Sequence, residues 1–334
     1  MNVNCQTMAR TASAVAVLCA STSLAMAQDP VEITIGLIFS PTTPMVECGA
    51  APLEEDERLA AAGLDVNVVH SAQLGSENEM TRQVSTGELD MSLAPSSMLA
   101  MWLDDLAAFE GYYLYDSVEE VFDIYKTDTA VDLLAELEQV ADVRVIGLPW
   151  LYGTRNVFGN ARITGPDDFE GVRMRVPDTA ASIAGAESLG ANAVTVAYAE
   201  LYLGLQQGIA DVAEAPAGTM AAESFDEVSQ YYNKTAHLIT ASPVFINSGL
   251  WNSLTPEQQT ALDEAVADGA RRVRACVEEA DEAAFAEWRE TGMVEIVEDV
   301  DREALAANTR AFYSGKYPWS DTYENLLRDM GKIE

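Results

Sequence analysis

Arg155, Arg162, Arg173 and Arg175 gather in a short stretch of a chain that otherwise carries 54 acidic residues against 19 basic ones. A guanidinium is a planar fork that matches a carboxylate or sulfonate with two parallel hydrogen bonds, and it stays charged at any working pH. A site built on this cluster would select small anions. The same spacing also fits surface ion pairs with Asp167, Asp168 or Glu170. Strict alternation in Gly171-Val-Arg-Met-Arg-Val-Pro177 sends Arg173 and Arg175 to one face of a strand and Val172, Met174 and Val176 to the other. Alternation therefore does not choose between the two arginines. Just upstream, Pro149-Trp150-Leu-Tyr152-Gly-Thr-Arg155 is rich in aromatics that suit either a ligand-cleft wall or core packing, and Tyr198 has the same two readings.

Catalytic chemistry has few carriers. The two histidines, His70 and His237, stand outside any zinc-protease or nucleophile-elbow pattern, and no phosphate-binding glycine loop is present. Paired acids such as Asp104-Asp105 and Glu278-Glu279 read as solvated faces. An exported hydrolase or lyase would have to draw its base from Glu214 or His237. A formal charge of −35 makes nucleic acid and anionic membrane poor partners. It also requires that any anion site be locally basic. No cofactor and no metal is expected.

These side chains need elements to hold them. Residues 1–27 read as an export signal, with Arg10, an apolar run from Ala12 to Ala20 and the cleavage pattern Ala25-Met-Ala27, which sends the mature chain to the periplasm. The remainder suffices for about two domains. Its two cysteines, Cys48 and Cys276, either pair in an oxidising compartment or remain separate thiols. Residues 31–38, 66–69 and 91–94 read as strands and 52–62 and 77–85 as helices, a β-α-β-α-β unit. A second unit repeats its spacing: Glu79, Gly87, Asp90 and Pro95 correspond to Glu200, Gly208, Asp211 and Pro216. Thr255-Pro-Glu-Gln258 starts a helix that runs towards Arg289, either breaking near Gly269 or bridging two lobes. A strand over 294–297 and a C-terminal helix from Asp301 follow.

Taken in order, Gln73-Leu-Gly-Ser-Glu-Asn-Glu-Met80, Gly87-Glu-Leu-Asp90, Gly153-Thr-Arg155, Asp168-Phe-Glu-Gly-Val-Arg-Met-Arg-Val-Pro177, Leu205-Gln-Gln-Gly208 and Trp251-Asn-Ser-Leu-Thr-Pro-Glu-Gln258 resemble the periplasmic solute-binding proteins of tripartite ATP-independent (TRAP) transporters, of the C4-dicarboxylate-binding type. The resemblance implies an α/β, two-lobed, class II-like binding protein with hinge strands and a long C-terminal helix spanning both lobes. The lobes would comprise 28–152 with 241–280, and 153–240 with 281–334. It implies a monomer that carries a small organic acid to the small and large subunits of a membrane permease. Receptors for an ATP-driven importer or a sensor kinase are the alternative. The arginine before Val-Pro, Arg175, would grip the ligand carboxylate, supported by Arg155 and walled by Tyr198. The candidate ligand set is Arg175, Arg155, Tyr198, Trp150, Glu77, Glu214 and Asp178. Ala215 departs from the pattern, standing where the family usually has an asparagine that bonds the ligand, and Pro95 replaces a position that is polar in some relatives.

Overall fold

A computed structural model describes Met1 and residues 29–333, so the expected export signal lies, Met1 apart, outside the described residues. The alternation at the start of the mature chain buries Ile33 and Ile35 and forms β1 (Val31–Gly36). It pairs in parallel with β2 (Leu64–Val69) and β3 (Met91–Leu93). Two strands of 17 residues each, β4 (Val143–Gly159) and β8 (Tyr231–Asn247), run antiparallel along each other. A second parallel group comprises β5 (Arg173–Val176), β6 (Asn192–Thr195) and β7 (Val212–Ala215). The strand order is β2-β1-β3-β8-β4-β7-β5-β6, with β9 (Glu295–Val297) added to β8.

That order reads alike from both ends: an outer strand, a central strand, an inner strand, then one of the long strands. Two similar lobes therefore share one sheet, joined through β4 and β8, and the internal repeat has a structural basis. Asp90 accepts a hydrogen bond from the Thr34 amide on the neighbouring strand at 2.8 Å, and Asp211 does the same for the Arg173 amide at 2.9 Å. Gly87 and Gly208 both take positive φ, 75° and 65°, where a side chain would be strained. Pro95 and Pro216 each precede a short helix, Ser96–Leu99 and Ala217–Ala222. The glutamates of the repeat differ: Glu79 closes a capping box with Ser76, whereas Glu200 makes no side-chain cap.

The helix Pro256–Thr291 is unbroken over 36 residues, about 54 Å at 1.5 Å per residue. Its N-terminal two-thirds bury Leu262, Val266, Val273 and Val277 in the first-lobe core, and its C-terminal end buries Ala284 and Trp288 in the second. Gly269 does not interrupt it. A Cβ there would stand 2.7 Å from the Trp150 ring, and one on Gly49 would stand 2.5 Å from the same indole. Trp150 is thus clamped between two glycines, fully buried, with its indole N–H donating to the Val266 carbonyl at 2.9 Å. This corrects its expected place in the ligand set, because the aromatic cluster is split and only Tyr152 and Arg155 of it reach the cleft. Cys48 and Cys276 are joined in a disulfide that ties the 45–50 turn to the long helix.

Two boundaries also differ. The expected helix over 52–62 is interrupted because the Asp56 carboxylate accepts from the Arg58 amide and starts a new helix, Glu57–Ala61. The chain's last helix, Ser320–Asp329, lays Tyr323, Leu326 and Leu327 into the first-lobe core, so the end of the 281–334 segment packs with the first lobe rather than the second.

Trp150→Phe removes the buried donor to Val266 and leaves a void between the glycines. It should destabilise the fold by roughly 1–3 kcal/mol while leaving ligand affinity within about twofold. Thermal melts and calorimetry on the variant check both outcomes.

Candidate functional site

The two parallel groups point their carboxyl ends at each other, the place where open α/β sheets bind ligands. A cleft of about 490 Å³ opens there. From the first lobe come Ile38 and Phe39, just past β1, and Ser76, Glu77 and Asn78 at the start of the helix Glu77–Thr86. From the second come Arg175, Asp178 and Tyr198, with Tyr152, Arg155 and Thr240 on the crossing strands.

Position along β5 separates the two arginines that share a face. Arg173 opens the strand, is exposed, and grips Asp211 with two hydrogen bonds of 3.0 and 2.6 Å. Arg175 lies two residues on, about 7 Å at 3.3 Å per residue, and is 3% exposed at the cleft wall. Arg162 spends its charge on Glu295 and Asp299 at the surface. Arg155 pairs with Glu214 at 2.9 Å. Arg175 alone of the four makes no ion pair among the described residues. Its Nε donates to the Val196 carbonyl at 2.8 Å, which fixes the side chain, and its carbon centre sits 6.0 Å from the Tyr198 ring. Burial, and then repulsion from Arg155, pull its pKa below the usual arginine value. An anion bound here would relieve both costs.

Beneath the cleft lies a chain of buried polar groups. Glu214 bonds Arg155 through one oxygen and His237 Nε2, at 2.7 Å, through the other. His237 Nδ1 lies 2.8 Å from the Thr235 hydroxyl. Burial pushes the Glu214 pKa up, but Arg155 and the His237 contact outweigh it and hold the carboxyl down at about 2. Burial prevails over Glu214 at His237 and lowers its pKa. A neutral ring that donates to Glu214 and accepts from Thr235 satisfies both contacts. His237 is fully buried against Tyr112 and is not part of the cleft lining, so neither it nor Glu214 is placed as a base toward a ligand. His70 bonds Ser71 and is likewise absent from the lining.

Two more carboxyls face the arginines. Glu77 stands half-buried in the cleft wall, and burial followed by the neighbouring Glu110 raises it to about 7 against the pull of Arg155 and Arg175. Glu110 is buried, accepts from the Ser97 hydroxyl at 2.7 Å, and is raised to about 7 chiefly by burial. Asp178 is exposed at the rim, where its carbonyl accepts from the Asn78 amide at 3.4 Å. The cleft therefore gathers Arg175, Arg155, Tyr198, Glu77 and Asp178, holds Glu214 behind Arg155, and excludes Trp150.

Sequence reasoning missed Phe39, which meets Tyr198 edge-on at 5.5 Å from the opposite lobe, and Asn78, Thr240 and Glu110. The repeat carried a signal for Phe39, since the residues past β1 must oppose those past β5. Glu110 lies in a short 3-10 turn that matches no motif.

A cleft between two related α/β lobes, walled by aromatics and holding a buried arginine with unspent charge, defines a solute-binding protein. The chain belongs to the family of bacterial extracellular solute-binding proteins, family 7, the DctP family, whose model matches residues 53–317. It is a TRAP-type binding protein and not an enzyme. It is 27% identical over 282 residues to the C4-dicarboxylate-binding periplasmic protein DctP of Rhodobacter capsulatus, covering 83% of each chain. It is 26% identical over 223 residues to the sialic acid-binding periplasmic protein SiaP of Vibrio cholerae, covering 66% of this chain and 69% of that one. A TRAP periplasmic solute-binding protein from Actinobacillus succinogenes, solved with bound L-galactonate, superposes with a TM-score of 0.83 at 26% identity. That match covers 91% of this chain and all of the other.

Glu110 ties stability to pH. Its folded pKa, about 7, exceeds its ordinary value of 4.5, so the unfolded chain ionises first. Stability is therefore lost as pH rises from 4.5 to 7, by up to roughly 3 kcal/mol. Glu110→Gln keeps the acceptor for Ser97 and cannot ionise. It should melt higher than the parent at pH 8, with the gap closing at pH 4, when thermal melts are recorded across that range.

Proposed function

We propose that this protein is a periplasmic receptor that captures a small organic acid by seating its carboxylate on Arg175 and delivers it, as a monomer, to the small and large subunits of a TRAP permease. Export depends on cleavage after Ala27. The observation that carries the reading is the state of Arg175: buried, oriented by Val196, aimed into a cleft and without an acidic partner. Burying a charge with no partner costs several kcal/mol, a cost that a protein retains where a ligand repays it. The relatives support the ligand class, being named for a C4-dicarboxylate, sialic acid and L-galactonate, all of them acids.

Arg155 supports the site differently. Glu214 already balances its charge, so it offers hydrogen bonds and a fixed wall more than a free positive charge. Ala215 is buried and offers no side-chain polar group. The Thr240 hydroxyl, buried with no hydrogen-bond partner at the cleft wall, is suited to supply the contact that an asparagine at 215 would make. Tyr198 and Phe39 cover the anion from opposite lobes.

A thermal-shift screen of organic acids should yield at least one ligand, with a gain of about 2.7 kcal/mol at 100 times Kd. Arg175→Ala should then weaken that ligand by about 100-fold or more in calorimetry, and Arg175→Lys by about 10-fold, because the charge survives but the fork does not. Unchanged affinity in Arg175→Ala would remove this residue from the site.

A further inference from the structure

We infer that Glu223, which is not part of the cleft lining, is a positioning residue of the anion site: from the second lobe it holds the peptide that carries Phe39, and so seats the Phe39 ring against Tyr198. The inference rests on the proposed anion seat at Arg175 and adds to it a residue outside the cavity. Phe39 and Ser40 share one peptide group. Its carbonyl accepts from the Ser71 amide at 2.7 Å within the first lobe, and its N–H donates to Glu223 Oε1 at 3.0 Å in the second. The orientation of that peptide is therefore set by both lobes at once. The Phe39 ring it directs lies 5.5 Å from the ring of Tyr152 and 5.5 Å from that of Tyr198, both in the cleft wall. Two residues beyond Ser40, the Thr42 hydroxyl donates to the Ala222 carbonyl at 3.3 Å, beside Glu223.

Such a bond places a ring only if neither of its ends can drift, and both ends are pinned to one short stretch of the long helix. The chain from Ser40 onward is bonded turn by turn. The Thr43 hydroxyl and amide both donate to the Ser40 carbonyl, and the Val46 and Glu47 amides donate to that of Thr43. This segment ends at Cys48, which is joined to Cys276 and whose carbonyl accepts from Arg272 Nε at 2.9 Å. On the other side, the helix Ala217–Ala222 leads into Glu223 and donates its Gly218 amide to Asp281 at 2.7 Å. A Cβ on Gly218 would stand 2.5 Å from that of Ala280, so this helix lies directly on the long one. Cys276 and Asp281 are about 7.5 Å apart along the helix axis, at 1.5 Å per residue. The disulfide, the long helix, Asp281, Glu223 and the Ser40 segment thus close a ring across the lobe border. A ring held at every other link turns one hydrogen bond into a defined place for Phe39, which lowers the ordering cost of covering a ligand.

Stopped-flow binding to the mature protein, followed by intrinsic fluorescence, tests this with succinate, N-acetylneuraminate and L-galactonate as probes. For a probe that binds, Glu223→Ala should raise the dissociation rate at least about fivefold and leave the association rate within about twofold, because the cover is loosened and the arginine seat is not. Glu223→Gln, whose amide oxygen can accept from the Ser40 N–H, should return the dissociation rate to within about twofold of the parent. In protein carrying both Cys48→Ser and Cys276→Ser, the effect of Glu223→Ala should shrink to within about twofold, since an unanchored segment no longer transmits the bond. A dissociation rate unmoved in Glu223→Ala overturns the inference while leaving the anion-receptor reading intact. So does a loss that Glu223→Gln fails to recover, or an equal loss with and without the disulfide. Where the double serine variant does not fold, the alanine and glutamine variants decide alone. If none of the three probes and no acid of the wider screen binds, the receptor reading fails and the inference fails with it.

Discussion

The ion pair between Arg155 in the cleft wall and Glu214 buried behind it, 2.9 Å long, is the constraint on which the binding site rests. Its members come from β4 and β7, and His237 of β8 holds the second Glu214 oxygen, so three strands of the second lobe are locked in register by one buried carboxylate. Two buried charges cost more in desolvation than an exposed pair, and that cost is tolerable here because every Glu214 oxygen has a partner. Its consequence lies one layer up. Arg155 becomes a fixed wall that already has its counter-ion, and its field pushes on Arg175, the unpaired guanidinium beside it. Removing Glu214 would leave Arg155 as well as Arg175 without a counter-ion at the cleft wall, although Glu214 itself does not line the cavity.

The sheet explains why these groups converge. Each lobe places its parallel strands so that their carboxyl ends face the other lobe, and both inner strands lean on one of the two long strands. The anchoring aspartates of the repeat, Asp90 and Asp211, hold neighbouring strands by their amides in the same way in each lobe. Asp211 has a second use, since it also takes the side chain of Arg173. One carboxylate thus positions the start of β5 and removes Arg173 from competition with Arg175.

Much of this was legible from residues alone. Alternation and the repeated Gly-Asp-Pro spacing gave the strands and the doubling, because both report local backbone requirements: a two-residue period, a positive φ after a helix, an acceptor at a strand start. What remained hidden was the third dimension. Alternation put Arg173 and Arg175 on one face and carried no information about which end of β5 meets the cleft. Trp150 resembled a cleft aromatic because its partners, Gly49 and Gly269, lie far away in sequence, and neither glycine announces that an indole will press on it. Glu110 was invisible for a similar reason. In so acidic a chain one more glutamate is unremarkable until burial against Arg155 and Ser97 sets it apart. Chain order groups the terminal helix with the second lobe, and it carries no sign that Tyr323, Leu326 and Leu327 pack into the cluster that holds the first-lobe strands.

The lobes meet along two borders: beside the hinge strands Ala181 and Ala184 of the helix Ala180–Leu189 are buried in one cluster with Met98 and Leu99 of the first lobe, while at the mouth of the cleft the contacts are few. Across the gap Phe39 meets Tyr198, Asn78 donates to the Asp178 carbonyl at 3.4 Å, and Ser40 donates to Glu223 at 3.0 Å. Hydrogen bonds of this kind are worth about 1 kcal/mol each net of solvent. Against them stands the mutual repulsion of two acidic lobes in a chain whose formal charge is −35. These contacts at the mouth are few and partly exposed, and they add little to the packing beside the hinge strands. The cleft between them is lined from both sides, by Ser76, Glu77 and Asn78 of one lobe and Arg175 and Tyr198 of the other. Charge on the surface and charge in the site therefore differ in kind: the surface is uniformly acidic, and the cleft wall holds a guanidinium with no counter-ion among the described residues.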